Sequence, residues 1–230
     1  RVELQVPPER HGPVSLYLCI RRLAGEELPH FRAAPDVAYR HLITALQGHA
    51  MLGNSYWAEQ GVPILAHVDA AHEIEERGHQ ILENMKRYNR DKAEGTYVAP
   101  PTETFEDKHV IEMGDFRIEV LHLGPAHGPG DTQVWLPEQS LVIAGDMAFH
   151  ERMLPIFEDT IVYDWIETWD TGFEALGATY VIPGHGHPTN MAQVRRYTRD
   201  YLVYLREKIG EHLDTQLQTR IENLYVCDCS

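Results

Sequence analysis

The chain has 230 residues, of which 43% are hydrophobic and 24% charged, the make-up of a soluble globular protein with one sizeable core. A formal charge of −15 at pH 7 argues against a nucleic-acid surface, which needs clustered Lys and Arg. No apolar run reaches bilayer length and no basic-then-apolar leader opens the chain, so no membrane association is expected. The expected location is cytoplasmic, or periplasmic or secreted if a signal peptide has been removed.

Prolines at 7, 8, 13, 29 and 35 interrupt the first part of the chain, where only Val14 to Ile20 reads as a strand. Either a short helix over Ala34 to Ala45 or a strand over Tyr39 to Thr44 follows. Tyr56 to Gln60 reads as one or two helical turns and Val62 to Ala66 as a buried strand. Asp69 to Arg90 reads as a long helix with Asp69 as its N-cap. Gly95, Pro100 and Pro101 mark Lys92 to Glu106 as a surface loop.

Four strands are expected next, over His109 to Met113, Asp115 to Leu121, Thr132 to Leu136 and Ser140 to Ala144. Tight turns at Met113-Gly114-Asp115 and Pro137-Glu138-Gln139 join two pairs of them. A helix from Asp164 to Leu176 buries Trp165, Trp169 and Phe173, a strand covers Thr179 to Ile182, and an amphipathic helix runs from Met191 to His212. Residues 213–230 read as a tail. Strands first and then strands interleaved with covering helices define a layered α/β sandwich, taken as one domain over residues 1–230. Cys19, Cys227 and Cys229 are poorly spaced for a disulfide framework and fit a reducing compartment.

The chemistry concentrates in three pieces, each running from an apolar strand into a polar tip. They are Pro125-Ala126-His127-Gly128-Pro129-Gly130-Asp131-Thr132, Leu141-Val142-Ile143-Ala144-Gly145-Asp146, and Tyr180-Val181-Ile182-Pro183-Gly184-His185-Gly186-His187. They place His127, Asp146 and His185 at strand ends. Histidine and carboxylate on loops held by a rigid sheet are the usual ligands of zinc or another first-row metal. His150, four residues past Asp146, is a candidate catalytic or substrate-contacting residue. His187 belongs to a turn and His122 faces away from its apolar strand neighbours, so both read as structural.

From Thr44 to Leu205 these motifs resemble the metallo-β-lactamase fold hydrolases. The resemblance implies a four-layered αββα sandwich with a one- or two-metal site along one edge. By resemblance His127 is a ligand of a first metal, His185 of a second, and Asp146 the carboxylate bridging both. The family's His-x-His-x-Asp-His hallmark should fall within Thr44 to Asn54, and there the ligands depart from the pattern. Ala45 and Gln47 stand at the first two histidines, His49 at the aspartate and Ala50 at the last histidine.

Alanine offers no lone pair and a neutral Gln is a weak ligand, so one ion is expected rather than two. Its ligands would be His49, His127, Asp146 and His185, with Gln47 as a fifth. Zinc is the first choice, with iron or manganese compatible. Residues 1–43 match the family poorly, which points to irregular or missing N-terminal strands.

The implied function is metal-dependent hydrolysis of a small-molecule ester, thioester or amide, β-lactams included, with Asp146 and His150 as catalytic residues. The alternative is a catalytically impaired pseudoenzyme or binding protein on the same fold. Self-association into a homo-oligomer is compatible with either.

Overall fold

The structure is a computed structural model that describes residues 42–43, 45, 48–113, 116–157 and 160–226. The expected strand over Val14 to Ile20, the turn at Gly114-Asp115, Gln47 and the three cysteines lie outside the described residues, as does most of Tyr39 to Thr44.

Two sheets form the centre of the molecule. The first is parallel and ordered β1 (Leu42–Ile43), β2 (Ile64–His67), β3 (Glu103–Phe105). The second is ordered β4 (Lys108–Met113), β5 (Phe116–Leu121), β6 (Gln133–Leu136), β7 (Leu141–Phe149), β8 (Tyr180–His185). Its first three pairings are antiparallel, and only β7 and β8 run parallel.

Alternation along the strands decides which residue meets which layer. Leu65 joins Phe105, Ile111, Ile118, Val120, Val134, Leu136, Leu141 and Ile143 in one cluster, which is the apolar filling between the two sheets. Its neighbour Ile64 turns the other way, towards Val62, Ala99 and the partly buried Trp57. On β7, Leu141 and Ile143 face the first sheet, whereas Val142 and Ala144 pack with Trp165, Trp169, Phe173, Val194 and Leu202. A strand buried on both faces reads as a near-continuous apolar run, as Leu141 to Ala144 does.

Helices supply the outer packing. Short α1 (Gly48–Met51) and α2 (Asn54–Glu59) precede β2, and α3 (Val68–Asn89) follows it directly. Behind the second sheet lie α4 (Val162–Thr168), α5 (Met191–Tyr197) and α6 (Arg199–Val226). Burial of Trp165, Trp169 and Phe173 agrees with their helical spacing. Their segment is not one α-helix, however: α4 passes into a π-helical turn over Trp169–Phe173 and a 3₁₀ turn over Glu174–Leu176.

Four other expectations need correction. The N-cap of α3 is His67, whose Nδ1 accepts from the Asp69 N–H at 3.2 Å, and Asp69 instead sits in the first turn, where its charge suits the helix dipole. Within the expected loop over Lys92 to Glu106, residues Glu103–Phe105 form β3, because pairing with Leu65 to His67 outweighs the local turn signals. β7 continues through Asp146 to Phe149 rather than ending at Ala144.

The last helix breaks at Thr198 and then continues to Val226 rather than ending at His212. The break has a cause in tertiary contact. Thr198 is fully buried, its Oγ1 accepting from the Phe149 N–H at 2.8 Å and donating to the Phe149 carbonyl at 3.2 Å.

Candidate metal centre

The end of β7 is irregular, and the irregularity aims Asp146. Ile143 pairs with Ile182, Gly145 with Pro183 and Phe149 with His185, so β7 carries extra residues twice over this stretch. Such bulges commonly re-aim a side chain next to a functional site. Gly145 adopts φ of 56°, a left-handed conformation that costs glycine little and other residues more. Opposite it, a Cβ on Gly184 would fall well inside van der Waals contact with Asp146 Oδ1 and the Gly145 carbonyl. Glycine at 184 therefore makes the space that the carboxylate fills.

His49 comes from α1, just after β1 of the first sheet, whereas Asp146 and His185 come from β7 and β8 of the second. The carboxylate stands between the two imidazoles: His49 Nε2 is 3.4 Å from Asp146 Oδ2, and His185 Nε2 is 3.5 Å from Asp146 Oδ1. The two rings meet edge to face with centroids 5.0 Å apart. One donor atom from each residue lies within 4.8 Å of the other two.

The donor set fits an ion. Two donors each about 2.0–2.1 Å from a tetrahedral zinc lie roughly 3.4 Å apart, and each imidazole nitrogen stands at about that distance from one oxygen of Asp146. Three protein ligands also leave a fourth position for water.

Electrostatics keep the carboxylate charged. Burial alone would raise the pKa of Asp146, but the hydrogen bond from His49 and the nearby imidazoles of His49, His127 and His185 outweigh it and hold the group below the ordinary carboxylate value. The same bond to Asp146 raises His49 against the opposing effect of burial. For His185 burial dominates and lowers the pKa, with Asp146 opposing. A neutral imidazole keeps a lone pair for a metal.

The remaining expected site residues fall around this group. His127 is buried beside it, close enough to act on the charges of Asp146 and His185, but it is not one of the three whose donors come within 4.8 Å of each other. Its ring packs against Phe149, Phe157 and Trp165, and Phe149 in turn stacks on His185 at 5.0 Å. His150 Nδ1 bonds to the His187 carbonyl at 2.9 Å, while its backbone N–H pairs with the His185 carbonyl. His187 itself pairs with Glu151 at 2.7 Å. Ala45 and Ala50 contribute no donor, as their side chains require.

Three neighbours were not legible beforehand. Asp131 is buried, its Oδ2 accepting from the Gly128 N–H at 2.9 Å, and its charge reaches His49. Thr160 Oγ1 donates to the His127 carbonyl at 3.0 Å and ties the loop after β7 to the histidine. His122 stacks on His67 at 3.7 Å, a contact between residues 55 positions apart. Asp131 was the most accessible of these, because it closes the Pro-Ala-His-Gly-Pro-Gly-Asp run.

Two stacked sheets carrying His49, Asp146 and His185 at one rim define a mixed α/β protein with a cluster able to hold a metal. The metallo-beta-lactamase superfamily model matches residues 51–185, and the chain belongs to that superfamily. It is similar to the metallo-beta-lactamase type 2 of Bacteroides fragilis, with 27% identity over 116 residues, 49% of this chain and 46% of that protein. The chain thus spans about half the length of that curated relative.

Among solved structures, a metallo-beta-lactamase from Pontibacter korlensis matches with a TM-score of 0.56 and 19% identity, over 70% of this chain and 67% of that one. The FIM-1 metallo-beta-lactamase of Pseudomonas aeruginosa, in its mono-zinc form, matches with a TM-score of 0.56 and 17% identity, over 72% and 67%. At such identities the likeness carries the fold alone. Among the described residues no helix is long and apolar enough to cross a membrane.

Proposed function

We propose that this chain is a metal-dependent hydrolase of a small-molecule ester, thioester or amide, β-lactams included, built around one zinc-type ion. The observation that carries this reading is the convergence of His49 Nε2, the Asp146 carboxylate and His185 Nε2. When bound, such an ion supplies hydroxide at neutral pH and stabilises the oxyanion of the tetrahedral intermediate.

The chain's own residues do the positioning. His49 and His185 offer imidazole nitrogens from opposite sheets, and Asp146 supplies the negative charge. His127 lines the same pocket against Phe149 and Phe157, where it takes the remaining ligand position or contacts substrate. His150, held by the His187 carbonyl, positions the junction of β7 and β8 beside the ligands. Ala45 and Ala50, which offer no lone pair, support a single ion at this centre, with iron or manganese as substitutes for zinc.

Ala45 and Ala50 favour a second reading, a binding protein that keeps the fold and has lost catalysis. Metal analysis of protein purified without chelator, together with a panel of ester, thioester and lactam substrates, separates the two. The hydrolase reading expects about one equivalent of zinc-type metal at this centre, so that Asp146→Asn or His185→Ala lowers the metal content by that one equivalent and abolishes turnover. Protein carrying no metal and turning over no member of the panel belongs to the second reading.

A further inference from the structure

We propose that His67, Asp69 and His122 form a second metal-binding site, taking a zinc-type divalent cation, that ties the start of α3 to the loop carrying His127. The group shares no residue with His49, Asp146 and His185, and its donor atoms also lie within 4.8 Å of one another. His67 closes β2, Asp69 opens α3 and His122 directly follows β5, so the three residues join both sheets and a helix.

Backbone contacts fix which nitrogen of each imidazole carries the lone pair. His122 Nδ1 is 2.9 Å from the Asp131 carbonyl oxygen. A carbonyl only accepts, so Nδ1 carries the hydrogen and Nε2 keeps its lone pair. His67 Nδ1 accepts the Asp69 N–H, which places its lone pair on the side of Asp69, whose Oδ2 is 3.6 Å away. Of the two rings, His122 is the one whose second nitrogen rests on a backbone carbonyl. Ligating histidines characteristically hold their second nitrogen against a backbone carbonyl in this way.

Asp69 supplies the negative charge and offsets the partial positive charge of the helix N-terminus.

The geometry also sets a cost. The rings of His67 and His122 are stacked, 18° from parallel with centroids 3.7 Å apart. Near-parallel rings cannot both aim a lone pair at one ion, so binding turns the less buried ring, His122, and replaces the 3.2 Å cap bond of His67. The reach is local but consequential. Asp131, whose carbonyl holds His122, also accepts the Gly128 N–H next to His127. Gly130 packs directly on Ala70 in the first turn of α3.

The test uses the full chain with cobalt(II) and zinc as probes. In Asp146→Asn, which removes the carboxylate of the first centre, cobalt should still bind at about one equivalent with visible ligand-field absorption, and zinc should raise the melting temperature. Adding Asp69→Asn, at an exposed position that leaves the helix intact, or His122→Gln should abolish both effects.

The proposal is overturned if Asp146→Asn takes up no ion, or if its uptake survives both added substitutions. Wild-type protein should bind about two equivalents if both sites exist. A single wild-type equivalent that persists in Asp146→Asn and is lost with Asp69→Asn would uphold this site and remove the first.

Discussion

Gly184 and Asp146 share one volume: the space in which a Cβ on residue 184 would stand is occupied by Asp146 Oδ1. Because the rest of the contact is the Gly145 backbone, neither side can yield cheaply. Gly184→Ala should push the carboxylate off the line between His49 and His185 and weaken metal binding by roughly 10- to 100-fold, the range for disturbing the support of a ligand. Competition against a chromogenic chelator measures this, with far-UV circular dichroism as the check on folding. Unchanged affinity in a folded variant would show that Asp146 is not a ligand.

Metal-free protein should carry a pH signature of the pair His49 and Asp146. Asp146 is lowered from 3.8, so its contribution to stability is present above that pH and is lost as pH falls through its folded value. His49 is raised from 6.5, so its contribution is complete below that pH and is lost as pH rises through its folded value. Melting temperatures with a chelator present should therefore show support from this pair between about pH 4 and 7. Asp146→Asn should flatten both flanks relative to wild type.

His67 acts with the opposite sign. Its pKa is lowered from 6.5, first by burial and then by His122, so on acidification the unfolded chain takes up a proton before the folded one. In the presence of chelator, stability should fall as pH drops below about 6.5 and level off below the folded value. His67→Asn keeps a capping side chain but removes the titration, so its melting temperature should depend less steeply on pH over that window. An identical pH slope in His67→Asn would show that His67 is not the source of the effect.

Gly130 offers a test of how the His127 loop is held. A side chain there would collide with the backbone nitrogen and Cα of Ala70, which belong to a helix and cannot move aside locally. Gly130→Ala should destabilise the protein by about 1–3 kcal/mol, the usual cost of overpacking. Urea denaturation measures the loss, and metal affinity should fall in parallel because the loop that bears His127 is displaced.

These cases also explain how far the residues could be read in advance. The strands of the second sheet were legible because alternation and turn residues act locally, and His185 and Asp146 were legible because each directly follows an apolar run and a glycine. The bulge in β7 was not, since nothing local fixes the φ of Gly145 or the register of Gly145 against Pro183. Nor was the stack of His67 on His122, which joins the end of β2 to the residue after β5 only once the two sheets have packed. Asp69 was chosen as cap by residue preference, and His67 took the position because β2 runs without a loop into α3.

The double bond of Thr198 to the Phe149 peptide has a practical reading for anyone moving this pocket to another scaffold. Only Met147 and Ala148 separate Asp146 from Phe149, and the C-terminal helices grip that peptide from behind like a bolt through a hinge. A transplant that carries only the sheet rim and its histidines would leave the hinge unpinned; the graft must bring the helix break with it.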